Sequence, residues 1–448
     1  MKRLFSIILI IVIIIPLFSG CRKEDIEVVS SDSPKDEQNI STNDTATGNN
    51  VYELEGSLTV YCDYNTKYIS FFRLLVLEFN KIYPNVEIIE YDPTDGNSSI
   101  GIEAKLLKFN TDMMAGKGPD VIISNGSLTN YKAITSGIFL DLNQLIYEDS
   151  SFNLDLYEKA VLDAGVFGDK RLTLPFLHHT NSLMTTEERL SELEIPPNSL
   201  STPEGILSAF EVAANNRQLP YMQINQMAWY SWLEDLFDYE NNTVDANNIY
   251  LHRVVDLFKV IDNRTNQGYI FSNTKKYFDE IYETEAFYID PSITFRCAYY
   301  QAHDTKCKMV ELPNDYGGTT ATVFMYSAIN QNCKNPKLAW EFIKCTLNKS
   351  LQSSYHMFNG GFPVLRSVQD DTYSALCRQG TWGDTEHTDK MIAFFIESRS
   401  PITSAIYRFE SSDIEGFLYM FEPYFNDENS YEECLAEAIN YYSIYLSE

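Results

Sequence analysis

Thr111-Asp112-Met113-Met114-Ala115-Gly116-Lys117-Gly118-Pro119-Asp120-Val121-Ile122 carries a helix through a turn into a buried strand. Upstream, Ile102, Leu106, Phe109 and Met113 recur at helical spacing, and Gly116 supplies the break. Gly118-Pro119 then reverses the chain, since glycine reaches backbone angles that a side chain obstructs and proline fixes its own φ. Val121-Ile122-Ile123 is unbroken β-branched hydrocarbon and predicts a strand buried on both faces. A helix feeding such a strand is one repeat of an alternating α/β sheet.

The same alternation extends outward. Leu58-Thr59-Val60-Tyr61-Cys62 predicts a strand, and Phe72, Leu75, Val76, Phe79 and Tyr83 share one face of a helix that Pro84 ends. Val86-Glu87-Ile88-Ile89 predicts the next strand. Strands joined by helices imply parallel pairing through right-handed crossovers, hence an open sheet covered on both faces. Helices are expected over Pro203 to Asn215, capped by Thr202, and over Asn248 to Ile261, with shorter strands between them. Val323 to Ile329 reads as a buried strand again. Asn335-Pro336 starts a helix burying Ala339, Phe342, Ile343 and Thr346, and Ser430-Tyr431-Glu432-Glu433 is a capping box for the last helix. A chain of 448 residues is expected to form two compact lobes.

The N-terminus bears on compartment. Met1-Lys2-Arg3 is basic, Leu4 to Phe18 is nearly continuous hydrocarbon, and Ser19-Gly20 places small residues before Cys21. Leu17-Phe18-Ser19-Gly20-Cys21 resembles a bacterial lipobox, which implies a signal peptide over 1–20 and acylation of Cys21. The apolar run is shorter than the roughly 20 residues of a spanning helix. Residues 21–55 are rich in Ser, Asp, Asn and Thr and are expected to be a disordered tether. The net charge of -29 argues against nucleic-acid binding. Cys62, Cys297, Cys307, Cys333, Cys345, Cys377 and Cys434 include no paired CxxC clusters, so no metal site is expected, and Cys62 and Cys345 read as small buried hydrophobes.

The Thr111–Ile122 junction resembles that of the family 1 extracellular solute-binding proteins, which include maltose-binding-type proteins. Ser136-Gly137-Ile138-Phe139-Leu140-Asp141-Leu142, Asp169-Lys170-Arg171-Leu172-Thr173-Leu174-Pro175, Ile195-Pro196-Pro197 through Thr202-Pro203-Glu204, and Ala339-Trp340-Glu341-Phe342-Ile343 followed by Gly360-Gly361-Phe362-Pro363-Val364 are similar to further segments of that family. The resemblance implies a type II periplasmic-binding-protein-like fold: two α/β lobes, each a mainly parallel sheet flanked by helices, joined by hinge segments. The first lobe is expected to take 56–175 and 318–352, and the second 176–317 and 353–448. Crossings are expected at Pro175-Phe176, near Gly317 to Ala321, and between Gln352 and Gly361. It further implies a monomeric, non-enzymatic lipoprotein without cofactor, held at the outer face of the cytoplasmic membrane, with Gram-positive origin expected. Its partners would be a carbohydrate, membrane lipid through Cys21, and the permease subunits of an ABC transporter.

In open sheets ligands lie beyond the carboxyl ends of strands, which selects Asp63, Tyr64 and Asn65 after the first strand and Asn125 and Ser127 after the third. His178, His179, Thr180 and Asn181 follow the first crossing; the adjacent histidines suit hydroxyl hydrogen bonding better than metal ligation. Sugars stack C–H patches on rings, so Trp229 and Trp232, with Tyr230 between them, form the expected platform, supported by Phe362 and Trp382. Each of these residues also has a plain structural role, in turns for Asp, Asn and Ser and in cores for the aromatics. Two alternatives remain open on sequence alone: a secreted carbohydrate-active enzyme, although GxSxG, HExxH, P-loop and dinucleotide motifs are absent, and an orphan solute-sensing lipoprotein.

Overall fold

Apolar residues at Leu58, Val60 and Cys62 place one side of β1 (Gly56–Cys62) in the core. On α1 (Ile69–Ile82) the fully buried row is Phe71, Leu75 and Phe79, spaced by four; Phe72 and Val76 flank it and are partly buried. β2 (Val86–Glu90) pairs parallel with β1 on one side, and α2 (Ile102–Met114) delivers the chain to β3 (Val121–Ser124), parallel with β1 on the other. Asp120 fixes the junction: one carboxylate oxygen accepts from the backbone N–H and the hydroxyl of Thr59, both at 2.8 Å. The computed structural model describes residues 54–62, 69–94, 102–126, 130–215, 221–223, 232–265, 285–290, 307–354, 361–379 and 385–447.

The chain continues through β4 (Leu174–Thr180), β5 (Ser182–Thr186), α3 (Pro203–Asn215), β6 (Tyr221–Gln223), α4 (Leu251–Thr265), β7 (Glu285–Asp290), β8 (Cys307–Glu311), β9 (Thr319–Ile329) and α5 (Pro336–Cys345). Then follow β10 (Phe362–Pro363), α6 (Gln369–Gln379), α7 (Thr385–Ser398), β11 (Ile402–Tyr407), α8 (Arg408–Tyr419) and α9 (Tyr431–Ser447). The expected caps form. Thr202 Oγ1 accepts from Gly205 N at the start of α3, Asn335 from Leu338 N at α5, and Ser430 and Glu433 bond reciprocally at α9.

The large sheet runs β10-β4-β9-β3-β1-β2, with β11 also on β9; the second runs β8-β5-β7-β6. Two lobes follow, each with its own core. One gathers Leu75, Phe79, Phe109, Ile122, Phe176 and Phe342, the other Leu207, Phe210, Val254, Phe417 and Phe421. Neither sheet is mainly parallel, contrary to expectation. β9 returns from the second lobe and so runs antiparallel to β3 and β4, while β5 is antiparallel to both β7 and β8.

The passages also differ from the expected ones. Pro175 and Phe176 lie inside β4, which stays in the large sheet as far as Thr180, so the first passage is at Asn181. The second, Leu312–Gly318, precedes β9 and overlaps the start of the expected stretch at Gly317 and Gly318. Segment 353–448 belongs to both lobes: β10 and β11 pair with large-sheet strands, and α8 and α9 fill the second core. Consecutive residues of β11 divide between the cores, Ile406 in the second and Tyr407 in the first.

Cys62, Cys345 and Cys434 are buried and Cys333 is half-buried. No helix among the described residues is long and apolar enough to cross a membrane, and no group of His, Cys, Asp or Glu among them could hold a metal ion. The signal segment, Cys21 and the tether as far as residue 53 lie outside the described residues.

Candidate functional site

β1, β3 and β4 point the same way, the last two both antiparallel to β9, so their carboxyl ends emerge along one edge of the large sheet. The ends of β3 and β4 and the start of α8 build the candidate site there. After Ser124 the chain turns through half-buried Asn125 to Gly126, whose φ of +83° is left-handed. Ser124 Oγ accepts from Gly126 N at 3.0 Å. A Cβ on Gly126 would stand 3.6 Å from the Cβ of Arg408, the exposed first residue of α8.

β4 supplies two consecutive histidines. His179 packs on Phe324, ring centroids 5.8 Å apart; His178 pairs in register with Phe362 of β10, rings 6.2 Å apart. Burial, with the charge of Arg408 as a smaller cause, lowers His179 to about 4; burial, with Arg399 and His179, lowers His178 to about 3. Both imidazoles are therefore neutral at physiological pH. His178 Nδ1 and His179 Nε2 have no hydrogen-bond partner among the described residues, and neither do the buried hydroxyls of Ser182 and Thr319. Such groups favour a partner that brings hydroxyls.

Just beyond, the two passages run side by side. Thr180 Oγ1 donates to Glu311 Oε1 at 3.0 Å, Ser400 N donates to the other carboxylate oxygen, and Leu312 N donates to the carbonyl of Asn181 at 2.9 Å. Burial raises the Glu311 carboxyl above the usual range, against the bonds from Ser400 and Thr180 that lower it. Glu234, from the second lobe, accepts from Thr320 of β9 at 3.0 Å and Ser404 of β11 at 2.9 Å.

Of the sequence candidates, His179, Asn181 and Phe362 are buried and Asn125 is half-buried at the end of β3; Phe362 lies against His178, on the other sheet face from His179. Trp232 is not at this edge. Its side chain is 3% exposed, it packs between Phe210 and Tyr250 in the second core, and its indole N–H donates to the carbonyl of Pro313 at 3.1 Å. The correction has a physical cause: the large ring goes to the core once its N–H finds an acceptor there. Tyr64, Asn65, Ser127, Trp229 and Trp382 lie outside the described residues. Sequence reasoning missed Arg408, Phe324 and Glu311. Tyr407-Arg408-Phe409-Glu410 closes a strand and opens a helix, with Glu410 capping the Tyr407 N–H, but that local signal does not place Arg408 beside Gly126.

No curated protein matches the chain. Among solved structures, a periplasmic oligogalacturonide binding protein from Yersinia enterocolitica is similar, with TM-score 0.59, 13% identity, and coverage of 88% of this chain and 99% of that one. An extracellular solute-binding protein from Staphylococcus aureus in complex with maltose gives TM-score 0.54, 15% identity, and 87% and 98% coverage. A family 1 extracellular solute-binding protein from Alicyclobacillus acidocaldarius gives 0.54, 14%, 88% and 99%. At these identities the likeness is one of fold. The family model for bacterial extracellular solute-binding proteins matches residues 79–376, more than half of the chain, and the chain belongs to that family.

Proposed function

We propose that this protein binds a carbohydrate, a mono- or oligosaccharide, at the edge where β3, β4 and α8 meet, and delivers it to the permease of an ABC importer. The observation that carries the reading is the pair of neutral imidazoles, His178 and His179, each with a ring nitrogen not hydrogen-bonded among the described residues and each against an aromatic ring. Uncharged hydrogen-bonding groups beside ring faces match a polyhydroxylated solute, whose hydroxyls need partners and whose C–H patches need apolar cover. The maltose and oligogalacturonide proteins of similar fold are consistent with that class. His179, Asn181, Phe362 and Asn125 are the described contact residues of the proposal, and Tyr64, Asn65, Ser127, Trp229 and Trp382 complete the set. Lobe closure follows if the solute touches both lobes, since it then favours the closed population.

The proposal includes monomeric lipid anchoring at the outer face of the cytoplasmic membrane through Cys21, with 21–55 as the tether. Two acyl chains on one cysteine hold a protein stably where a single chain does not. Titration calorimetry against neutral and acidic oligosaccharides tests the binding claim: saturable heat without product formation is expected, and His179→Ala should weaken it roughly tenfold or more. A panel without any saturable ligand, or an affinity indifferent to His179, would overturn it. Cys21→Ala should release the protein from membranes, and unchanged partition would remove the anchor.

A further inference from the structure

A crevice of about 870 Å³ opens between first-lobe residues Tyr131, Phe167 and Gly168 and the second-lobe stretch Phe237–Asp245, with Tyr407 and Glu410 also lining it. His179, Asn181, Phe362 and Asn125 do not line it. Tyr131 and Tyr239 meet in it as a stacked pair, centroids 5.0 Å apart and planes 24° apart, and Phe167 lies 5.7 Å from Tyr131. Its polar lining is one-sided. Asp235, Asp238, Glu240, Asp245 and Glu410 contribute carboxyl groups, and no lysine, arginine or histidine lies among the lining residues.

The Tyr131 hydroxyl registers this lining: burial first, and then the charges of Glu240, Asp238 and Glu410, raise it. Glu410 itself is pushed up to about 8, chiefly by burial, and holds its proton at neutral pH, so the negative charge of the wall comes from the aspartates and Glu240. An anion would be repelled from such a wall. An ammonium group gains twice, from the carboxylates and from the negative faces of the rings. The volume is that of a small-molecule site. Glu240 is the accessible counter-charge: it is exposed, and its carboxylate lies over Gly168, where a Cβ would come within 3.3 Å of Oε1.

We propose that this crevice is a second ligand site, apart from the solute edge, and that it takes an organic cation whose ammonium head lies between the Tyr131 and Tyr239 rings and the Glu240 carboxylate. The test uses the full chain and three probes, tetramethylammonium, choline and putrescine, with 3,3-dimethylbutanol as the neutral isostere of choline, followed by calorimetry. At least one cation should bind saturably and weaken as salt rises, and choline should bind roughly tenfold more tightly than its isostere. Glu240→Gln and Asp245→Asn, both at exposed positions, should each weaken the cation several-fold and leave saccharide titrations of the same samples unchanged. Saturation by none of the three, equal binding of choline and the alcohol, or indifference to both variants overturns the site. Saccharide binding is read separately, so failure at one edge is not mistaken for failure at the other.

Discussion

Thr180 Oγ1 donates to Glu311 Oε1 over 3.0 Å, joining the last residue of β4 to the last residue of β8. The chain leaves the large sheet at one of these residues and starts back toward it at the other. A buried carboxylate that also accepts from Ser400 N thus holds outgoing and returning strands together with the approach to β11.

Removing that carboxylate should loosen the junction. Glu311→Ala leaves the Thr180 hydroxyl and the Ser400 N–H without their acceptor, an expected cost of about 1–3 kcal/mol for each buried group left unsatisfied. Chemical denaturation should show the loss, with a weaker solute affinity alongside. Wild-type stability in the variant would mean that water replaces the carboxylate freely.

Glu234 sets a pH dependence. Burial pushes its carboxyl from 4.5 up to about 7, with Asp235 and Asp315 adding to the rise and the bonds from Ser404 and Thr320 opposing it. The folded chain therefore keeps a proton that the unfolded chain has already lost. The associated stabilisation is complete below about pH 4.5 and disappears as pH rises through about 7. Glu234→Gln, still able to accept from both hydroxyls, should match wild type near pH 5 and exceed it near pH 8 by roughly 1–2 kcal/mol, allowing for solvent screening. Melting curves with the same offset at both pH values would refute this.

The histidines act in the opposite sense. Since His178 and His179 titrate in the folded chain at about 3 and about 4, below the ordinary 6.5, their contribution is present above pH 6.5 and is lost as pH falls through those values. Solute affinity should be level between about pH 6 and 8 and fall as pH nears 4, when His179 gains a proton. An affinity that holds at pH 4 would separate His179 from the solute.

Trp232→Phe should lower stability by about 1–2 kcal/mol, through the lost bond to Pro313, and Trp232→Ala by about 3–5 kcal/mol through the cavity left in the second core. Solute affinity of the Phe variant should stay near wild type, because the ring is core. A selective loss of binding without loss of stability would restore Trp232 to the ligand platform.

Gly205, in the first turn of α3, has no room for a side chain: an added Cβ would meet the carbonyl oxygen of Ser199 at 1.8 Å. Gly205→Ala should cost about 1–3 kcal/mol despite alanine's better helix propensity, as a thermal melt would register. A stabilised variant would show that the Pro197–Ser201 turn gives way.

The first lobe was legible because its signals are local. Gly116, the Gly118-Pro119 turn and Val121–Ile123 announce a helix, a reversal and a strand within a dozen residues, and Asp120 then bonds back to Thr59. Asn335-Pro336 and Ser430-Glu433 are equally self-contained caps. The direction of the return strands was not legible. Direction in a sheet depends on where the chain has been, so nothing local to Thr319–Ile329 says that it runs against β3. The six residues Ile402–Tyr407 offer little periodicity, and their partner is β9, far back in sequence. At the candidate site His179 and Asn181 were readable from the strand that carries them. Arg408 was not, since only the pairing of β11 with β9 brings it to Gly126.

Ile406 and Tyr407 are neighbours in sequence whose side chains are embedded in different hydrophobic interiors. If one half of the molecule pivots against the other, the rotation falls on the ψ of Ile406 and the φ of Tyr407, on either side of the rigid peptide that joins them. Spin labels or crosslinks spanning it would then sense rotation directly, and a stiffer or looser residue at either position would alter how far the halves turn while leaving every solute contact in place.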